Sequence, residues 1–281
     1  MRDIDTKEVT KTVTRLFLEA NYYLTGDVLE ALKKAKDSEE SPLGKEVLTQ
    51  IIKNAGIAAK EQIALCQDCG TAVVFLELGQ EVHTVGGDLV TAINEGVRHA
   101  YEKGYLRKSM VIQPFSGRVN TKDNTPAIIY TDIVPGDKLK IIVMPKGGGA
   151  ENMSRLVMLT PSAGRQGIID NVLKAVDEAG SNPCPPIIVG VGIGGTAEKT
   201  MMLAKKALLR KIGEHNADSE VASLEKELLQ KVNELGIGPM GYGGRTTALA
   251  VNVEVFPSHI ASLPLAINIT CHSSRHKEAI I

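Results

Sequence analysis

The fold is decided near the centre of the chain by the stretch Pro186-Ile-Ile-Val-Gly-Val-Gly-Ile-Gly-Gly195. Its first part, residues 186–191, is an apolar run that predicts a strand. The segment 196–210 has helical character, so the glycines between the two mark the passage from a strand into a helix. A strand that leads directly into a helix predicts a fold in which sheets and helices intermingle.

Further elements extend outward from this stretch in both directions. The predicted helices are 88–103, 164–179 and 219–235, and the predicted strands are 71–78, 246–256 and 263–270. The segments 127–134 and 138–144, joined by the turn Pro135-Gly-Asp137, predict a β-hairpin. No element is assigned after residue 270.

The order of these elements predicts a mixed α/β (α+β) fold. Residues 1–60 repeat apolar side chains at helical spacing and predict a helical N-terminal layer. Residues 61–281 predict a core of mixed, partly antiparallel sheets flanked by helices. Because neither an internal repeat nor a long linker interrupts the chain, we expect one domain over residues 1–281.

Composition and charge exclude several classes of protein. The 281 residues carry 32 Lys and Arg against 33 Asp and Glu, and a net charge of −1 offers no general attraction to nucleic acid or an anionic membrane. Aromatic residues make up only 4%, which argues against base-stacking platforms and carbohydrate clefts. Residues 1–9 lack a signal-peptide core, and the apolar run 187–195 is about half as long as a membrane span. We therefore expect a soluble, cytoplasmic, globular protein.

Three glycine-rich segments, 147–149, 190–195 and 236–244, are candidates for contact with a ligand. The segment 190–195 formally matches G-x-G-x-x-G, the phosphate-binding turn of dinucleotide-binding domains. That fingerprint requires a second strand after the helix, whereas residues 213–220 form a polar loop, so a dinucleotide site is disfavoured. A helix N-terminus can still bind an anion such as a carboxylate. Together the three segments indicate a ligand cavity built from backbone, with a mobile surface turn as the alternative for 147–149.

Four cysteines are a second set of candidates. Cys66 and Cys69 form a C-x-x-C pair, which alone is compatible with half of a zinc site or with a redox pair. Cys184 is flanked by two prolines, and Cys271 ends the last apolar segment. Cys66, Cys184 and Cys271 each stand where a β-rich segment meets a loop. Thiolates at such positions can hold an iron–sulfur cluster or a soft metal, and the alternative is a small buried hydrophobe.

Several longer motifs resemble one known family. They are Leu65-Cys-Gln-Asp-Cys-Gly-Thr-Ala72, Asn120-Thr-Lys-Asp-Asn-Thr-Pro-Ala127, Pro145-Lys-Gly-Gly-Gly149, Cys184-Pro-Pro186, Gly192-Ile-Gly-Gly-Thr-Ala-Glu-Lys199, Leu235-Gly-Ile-Gly-Pro-Met-Gly241 and Ser258-His-Ile-Ala-Ser-Leu-Pro264. With Cys271, they make the chain similar to class I fumarases and L-tartrate dehydratases, which are oxygen-sensitive iron–sulfur hydro-lyases. The resemblance extends from about residue 60 to the C-terminus and matches the α subunit, which is the N-terminal part of the single-chain enzymes.

The resemblance implies a [4Fe–4S] cluster in which Cys66, Cys184 and Cys271 each bind one iron. Three protein ligands for four irons leave one iron open, which suits a Lewis acid better than an electron carrier. Cys69 stands where the fumarase pattern more often has Thr. A fourth ligand at this position would convert the open cluster into a closed one.

The resemblance also implies roles for residues around the substrate. The substrate-binding residues would be Gln67, Arg107, Gly148 and Gly149. Arg107 would clamp one carboxylate through its planar fork, and the two glycines would offer backbone contacts to the other end of the substrate. Asp68 and His259 would form the proton-handling side, with a purely structural histidine as the alternative at position 259.

On this resemblance we expect the α subunit of a hydro-lyase that reversibly hydrates fumarate to (S)-malate, a reaction of the tricarboxylic acid cycle. L-Tartrate dehydration to oxaloacetate is the close alternative, and a non-catalytic iron–sulfur or zinc-binding module is the alternative from another class. The resemblance implies a separate β subunit that carries the rest of the active site, a threonine base with arginine and lysine carboxylate binders. An α2β2-type hetero-oligomer is expected.

Overall fold

The computed structural model describes residues 1–281 and confirms a mixed α/β fold with a helical N-terminal layer. The helices are α1 (Thr6–Tyr22), α2 (Gly26–Ser38), α3 (Pro42–Glu61), α4 (Leu89–Lys103), α5 (Gly148–Glu151), α6 (Gly164–Ala179), α7 (Ala197–Ala207) and α8 (Ser219–Glu234). The strands are β1 (Arg2–Asp5), β2 (Thr71–Gly79), β3 (Val82–Val85), β4 (Ile128–Val134), β5 (Leu139–Lys146), β6 (Arg155–Leu159), β7 (Ile187–Gly194), β8 (Ala248–Phe256), β9 (Leu263–Thr270) and β10 (Lys277–Ile280). None of the helices has both the length and the apolar character needed to cross a membrane.

The chain divides into two compact units. The first unit contains residues 1–24, 54–148 and 275–281, and the second contains residues 25–53 and 149–274. Each unit has its own four-stranded sheet and its own buried apolar cluster.

The first unit is built on a sheet with the strand order β10-β5-β2-β4. Residues 72–76 of β2 are all buried, as expected for a central strand covered on both faces. The apolar cluster of this unit includes Phe17 and Val13 of α1 and Tyr101 and Val97 of α4. The strands β1 and β3 form a separate parallel pair.

The predicted β-hairpin over residues 127–144 is wrong, because β4 and β5 do not pair with each other. Both pair with β2, β4 in parallel and β5 antiparallel, so β2 lies between them. The turn after β4 passes the end of β2, where the N–H groups of Gly79 and Glu81 donate to the carbonyls of Lys138 and Gly136 at 2.9 and 3.0 Å. β2 is apolar on both faces and takes the central position, whereas β4 exposes Ile133 at the edge.

The expectation that no element follows residue 270 is also wrong. β10 pairs antiparallel with β5, with Lys277 opposite Val143 and Ile280 opposite Lys140. Its four residues are too few for a period-two pattern to be distinguished from a loop. The same reason explains why the sequence does not predict the four- and five-residue strands β1, β3 and β6.

The second unit is built on a sheet with the strand order β6-β9-β7-β8. β7 pairs in parallel with β8 and antiparallel with β9, and all eight of its residues are buried. Alternate residues of β7 enter an apolar cluster together with side chains of α6 and α8. The predicted helix 164–179 and the predicted strand 263–270 coincide with α6 and β9.

The glycines of the central stretch allow α7 to lie directly against β7. A Cβ atom on Gly190 would lie 2.0 Å from the Ala204 carbonyl oxygen, and one on Gly192 would lie 2.2 Å from the Thr200 carbonyl oxygen. No side chain larger than hydrogen fits at such distances. The next regular element after α7 is α8, so the second strand that a dinucleotide fingerprint requires does not follow. The G-x-G-x-x-G match is therefore explained by strand–helix packing.

A buried carboxylate, Glu39, joins the end of α2 to the start of the segment that precedes β8. It is 1% exposed. Its Oε1 accepts hydrogen bonds from the backbone N–H groups of Glu40 and Ser41 at 2.9 and 3.1 Å. Its two oxygens also accept from Arg245 N at 2.9 and 3.0 Å, and Oε2 accepts from Thr246 N at 3.1 Å. Burial raises the pKa of Glu39, but these N–H donors outweigh it and hold the pKa below its ordinary value.

Replacing Glu39 by Gln is expected to lower the free energy of unfolding at pH 7 by about 2 kcal/mol, because buried N–H donors lose a charged acceptor. Since the pKa is lowered on folding, the stabilisation is complete above the unfolded pKa and is lost as the pH falls through the folded pKa. The difference in the free energy of unfolding between wild type and Glu39→Gln should therefore become smaller towards pH 3. Urea unfolding at both pH values measures it, with the exposed neighbour Glu40→Gln as the matched control. A difference in unfolding free energy that does not change with pH would contradict a stabilising role of the charged Glu39 carboxylate.

Candidate active site

One loop of the first unit, residues 66–70, carries three of the predicted site residues. It connects α3 to β2 and turns tightly on its own polar groups. The Asp68 N–H donates to the Cys66 sulfur at 3.4 Å, and Asp68 Oδ1 accepts from Gly70 N at 2.9 Å. Asp68 Oδ2 accepts from the backbone N–H of Gly148 at 2.7 Å. The carboxylate of Asp68 is therefore held at both oxygens, and its position relative to the Cys66 thiol is set by the loop itself.

Cys69 of the same loop is a buried structural thiol. It is 1% exposed, and its sulfur accepts the backbone N–H of Arg107 at 3.2 Å and donates to the Cys66 carbonyl at 3.7 Å. Burial raises the pKa of the Cys69 thiol, and the Arg107 N–H offsets only part of that effect. Cys69 thus ties Arg107 to the loop through the backbone. A threonine hydroxyl could accept the same N–H.

Two side chains that the sequence did not indicate as site residues hold the loop 66–70 through hydrogen bonds to its carbonyl groups. The Tyr101 hydroxyl donates to the carbonyls of Cys69 and Gly70 at 2.6 and 3.1 Å, and the Asn124 amide donates to the Gly70 carbonyl at 3.1 Å. Burial raises the pKa of Tyr101, so its hydroxyl remains a neutral donor. Tyr101 lies in the amphipathic pattern of α4, where an aromatic residue predicts only a core position. Asn124 lies in one of the family motifs, which was the available signal.

The first unit therefore gathers five of the predicted site residues around one loop. The side chains of Gln67 and Arg107 are exposed, whereas Cys66 and Asp68 are partly buried. The Arg107 guanidinium projects from a backbone that is fixed by Cys69 and by the buried neighbour Leu106. Gly148 opens the short helix α5, and its N–H is engaged by Asp68. A thiol and a carboxylate are thus fixed on one turn of chain, and the backbone of Arg107 is bonded to the same turn.

The second unit holds the other two predicted cysteine ligands. Cys184 adopts a positive φ of 54°, which is uncommon for a residue other than glycine and marks a strained turn. Its carbonyl accepts hydrogen bonds from His272, from the backbone N–H at 3.4 Å and from Nδ1 at 2.9 Å. His272 directly follows Cys271 in the chain. Its two hydrogen bonds to the Cys184 carbonyl therefore bring the backbones of Cys184 and Cys271 close together. The thiols of Cys184 and Cys271 are both partly exposed.

His259 lies in an exposed loop of the second unit, between β8 and β9. Its Nδ1 accepts the N–H of Ala261 at 3.1 Å, which places the ring proton of the neutral form on Nε2. The ring lines a cavity of about 480 Å³ together with Lys199 and Ser258. Asp68 belongs to the first unit and His259 to the second, so the pairing of the two remains a prediction. Gly149, the first residue of the second unit after Gly148, is also exposed.

The predicted cluster ligands are divided between the two units, with Cys66 in the first and Cys184 and Cys271 in the second. The side chains of His, Cys, Asp and Glu form no group of three or more that could hold a metal ion. The donor chemistry nevertheless fits an iron–sulfur cluster. None of the four cysteines forms a disulfide, the three predicted ligands are partly exposed on loops, and the Cys66 sulfur already accepts a backbone N–H.

The comparison with protein families identifies the class of this protein. The model of the family described as fumarate hydratase (fumerase) matches residues 10–280. The protein is accordingly a hydro-lyase, an enzyme that adds water across a double bond or eliminates water to form one. The chain belongs to the fumarate hydratase family, which confirms the resemblance found in the sequence.

Curated relatives cover nearly the whole chain. It is 46% identical over 273 residues to the putative L(+)-tartrate dehydratase subunit alpha of Methanocaldococcus jannaschii, which covers 95% of each chain. It is 32% identical over 273 residues to the L(+)-tartrate dehydratase subunit alpha of Escherichia coli UTI89, covering 95% of this chain and 89% of that one. The subunit of the same name from Escherichia coli K12 is 30% identical over 278 residues, which cover 98% of this chain and 91% of that one.

Proposed function

We propose that this chain is the α subunit of an iron–sulfur hydro-lyase that reversibly hydrates fumarate to (S)-malate. The observation that carries the proposal is the loop 66–70. It fixes the Cys66 thiol, the Asp68 carboxylate and, through Cys69, the Arg107 backbone on one turn of chain. A soft metal ligand, an acid–base group and a carboxylate clamp are three functions that the metal-assisted hydration of a dicarboxylate uses.

The proposed cofactor is a [4Fe–4S] cluster held by Cys66, Cys184 and Cys271. When bound, it would supply a Lewis acid for the hydroxyl that is added or removed. Cys69 is not among the proposed ligands, because its buried sulfur is already engaged by the Arg107 N–H. None of the four thiols is in a disulfide, which is compatible with this ligand set.

The remaining steps are assigned to protein side chains. Arg107 would hold one substrate carboxylate through two parallel N–H donors, and its exposed guanidinium is available for this contact. Asp68 would act at the proton-handling side in the orientation that Gly70 and Gly148 impose on its carboxylate. His259 would exchange a proton at Nε2, since its Nδ1 is occupied by the Ala261 N–H.

A separate β subunit is proposed to complete the site. The curated relatives are named as alpha subunits, which supports a partner chain for this one. The family's threonine base and its further carboxylate-binding arginine and lysine belong to that second part. The proposed assembly is a hetero-oligomer of α2β2 type.

L-Tartrate dehydration to oxaloacetate is the second candidate. It is favoured by the names of the three curated relatives described above, two of which are named L(+)-tartrate dehydratase subunit alpha and one putative L(+)-tartrate dehydratase subunit alpha. Malate and tartrate differ by one hydroxyl group, so the roles proposed for these residues apply to either substrate. The choice between them requires contacts that discriminate a single hydroxyl.

Arg107→Lys tests the proposed function, because lysine keeps the charge and loses the planar fork. We expect kcat/KM to fall about 10- to 1000-fold, roughly 1.5–4 kcal/mol of transition-state binding, for whichever of fumarate and L-tartrate the complex of the two subunits turns over. The matched control is Arg15→Lys, an exposed arginine paired with Glu19, for which a change below about 1 kcal/mol is expected. An unchanged kcat/KM at wild-type iron content would remove Arg107 from the site. Turnover of neither substrate by the iron-loaded complex would favour a non-catalytic metal-binding module.

A further inference from the structure

A buried arginine, Arg275, contacts the loop 66–70 within the first unit. It is 2% exposed. Its Nη2 donates to the Asp68 carbonyl at 2.8 Å, and its Nη1 donates to the Asn21 side-chain carbonyl at 3.2 Å. Its Nε is buried and has no acceptor. Both acceptors are neutral, so the guanidinium holds the loop without being neutralised by it.

The partners of Arg275 include no carboxylate. A guanidinium buried without an anion is strongly unfavourable, so a compensating negative charge is expected close by. The carboxylate of Asp68 carries one negative charge on this loop, but its oxygens accept from the N–H groups of Gly70 and Gly148 and form no ion pair with Arg275. The thiolate of a metal-bound Cys66 would be a second source of negative charge on this loop. Three thiolates around a [4Fe–4S]²⁺ core leave a net negative charge.

The side chain of Arg275 is itself anchored. Asn21 is fully buried in α1, where its amide donates to the Phe17 carbonyl at 2.9 Å, and its backbone carbonyl accepts the Leu65 N–H at 2.8 Å. Asn21 therefore links the guanidinium of Arg275 to the residue that precedes Cys66. This arrangement fixes the charge relative to the loop and leaves little freedom for Arg275 to move to another partner.

We infer that Arg275 is a positioning residue that braces the loop 66–70 and supplies the positive charge that balances the bound iron–sulfur cluster. The inference rests on the proposed function, since it requires the cluster that Cys66 is proposed to bind. Arg275 acts in two ways that can be separated. Bonding the Asp68 carbonyl and the Asn21 side chain at the same time requires the fork of the guanidinium, whereas the balance of charge requires only a cation.

Three variants of the full chain, purified without oxygen, test the inference. Arg275→Gln should retain about fivefold less iron and sulfide per folded chain, and the cluster that remains should have a more negative reduction potential because a nearby cation is lost. Arg275→Lys should restore most of the iron and most of the potential. Arg15→Gln, an exposed arginine in the same unit, is the control and should match wild type in both measurements.

The outcomes are decisive in either direction. Wild-type iron content and potential in Arg275→Gln would overturn the inference, and so would a folded Arg275→Lys protein that loses as much iron as Arg275→Gln. If Arg275→Gln does not fold, iron retention by Arg275→Lys decides the question alone. A wild-type chain that binds no iron would refute the proposed function instead. The bracing role is then measured on the metal-free chain, where backbone hydrogen exchange over residues 66–70 must be faster in Arg275→Gln than in Arg15→Gln, and equal exchange would overturn it.

Discussion

Replacing Cys66, Cys184 or Cys271 by Ser should each remove most of the iron from the protein and abolish its activity. A cluster needs all of its thiolates, and a serine hydroxyl is a poor ligand for the soft iron–sulfur core. The readout is iron and acid-labile sulfide per folded chain after anaerobic purification. Thermal unfolding of each variant separates loss of the cluster from loss of the fold.

Cys69→Ser is the matched control for these three variants and should retain its iron. It lies on the same loop as Cys66, but its sulfur is buried and accepts a hydrogen bond from the Arg107 N–H. A serine oxygen can accept the same hydrogen bond. Equal loss of iron from Cys69→Ser would contradict the three-ligand set. It would favour a closed cluster or a zinc site that uses all four cysteines.

Much of the fold is predictable from the sequence, because long helices and strands are recognised by the periodicity of their apolar residues. The sixteen residues of α6 repeat apolar side chains at helical spacing, and the eight residues of β9 form an apolar run, so both are predicted with their observed bounds. Pairing is harder to predict. The segments of β4 and β5 look like a hairpin locally, yet both pair with β2, and only the burial of β2 on both faces accounts for that order.

Residues of the candidate site are predictable from the sequence where they lie in a motif. They are not predictable where a single side chain, far away in sequence, supports the site through a hydrogen bond. The loop 66–70 stands out by its C-x-x-C pair, and Asp68 comes with it. Tyr101, 31 and 32 residues away from the carbonyls that it holds, has no such signal and looks like an ordinary core aromatic. Arg275 follows Cys271 in a polar segment that predicts exposure, and only the tertiary structure buries it. Such residues become visible once the hydrogen bonds are known.

The largest expected effect concerns the proposed partner. The resemblance to class I fumarases implies that the general base and part of the carboxylate-binding set belong to the second subunit, so we expect the isolated chain to bind a cluster without turning over substrate. Addition of the β subunit should supply the missing base and cover the open iron. Closing the site also excludes water and oxidants, so the partner should protect the cluster as well as activate it.

The most direct measurement of the central claim is the loss of fumarate's ultraviolet absorbance under anaerobic conditions, with and without the β subunit, at matched iron content. A cluster-dependent reaction that needs both subunits predicts no measurable hydration by the chain alone, rapid hydration by the complex, and loss of that activity together with iron on exposure to air. Full turnover by the isolated 281-residue chain, or activity of the complex that survives the removal of iron, would contradict it.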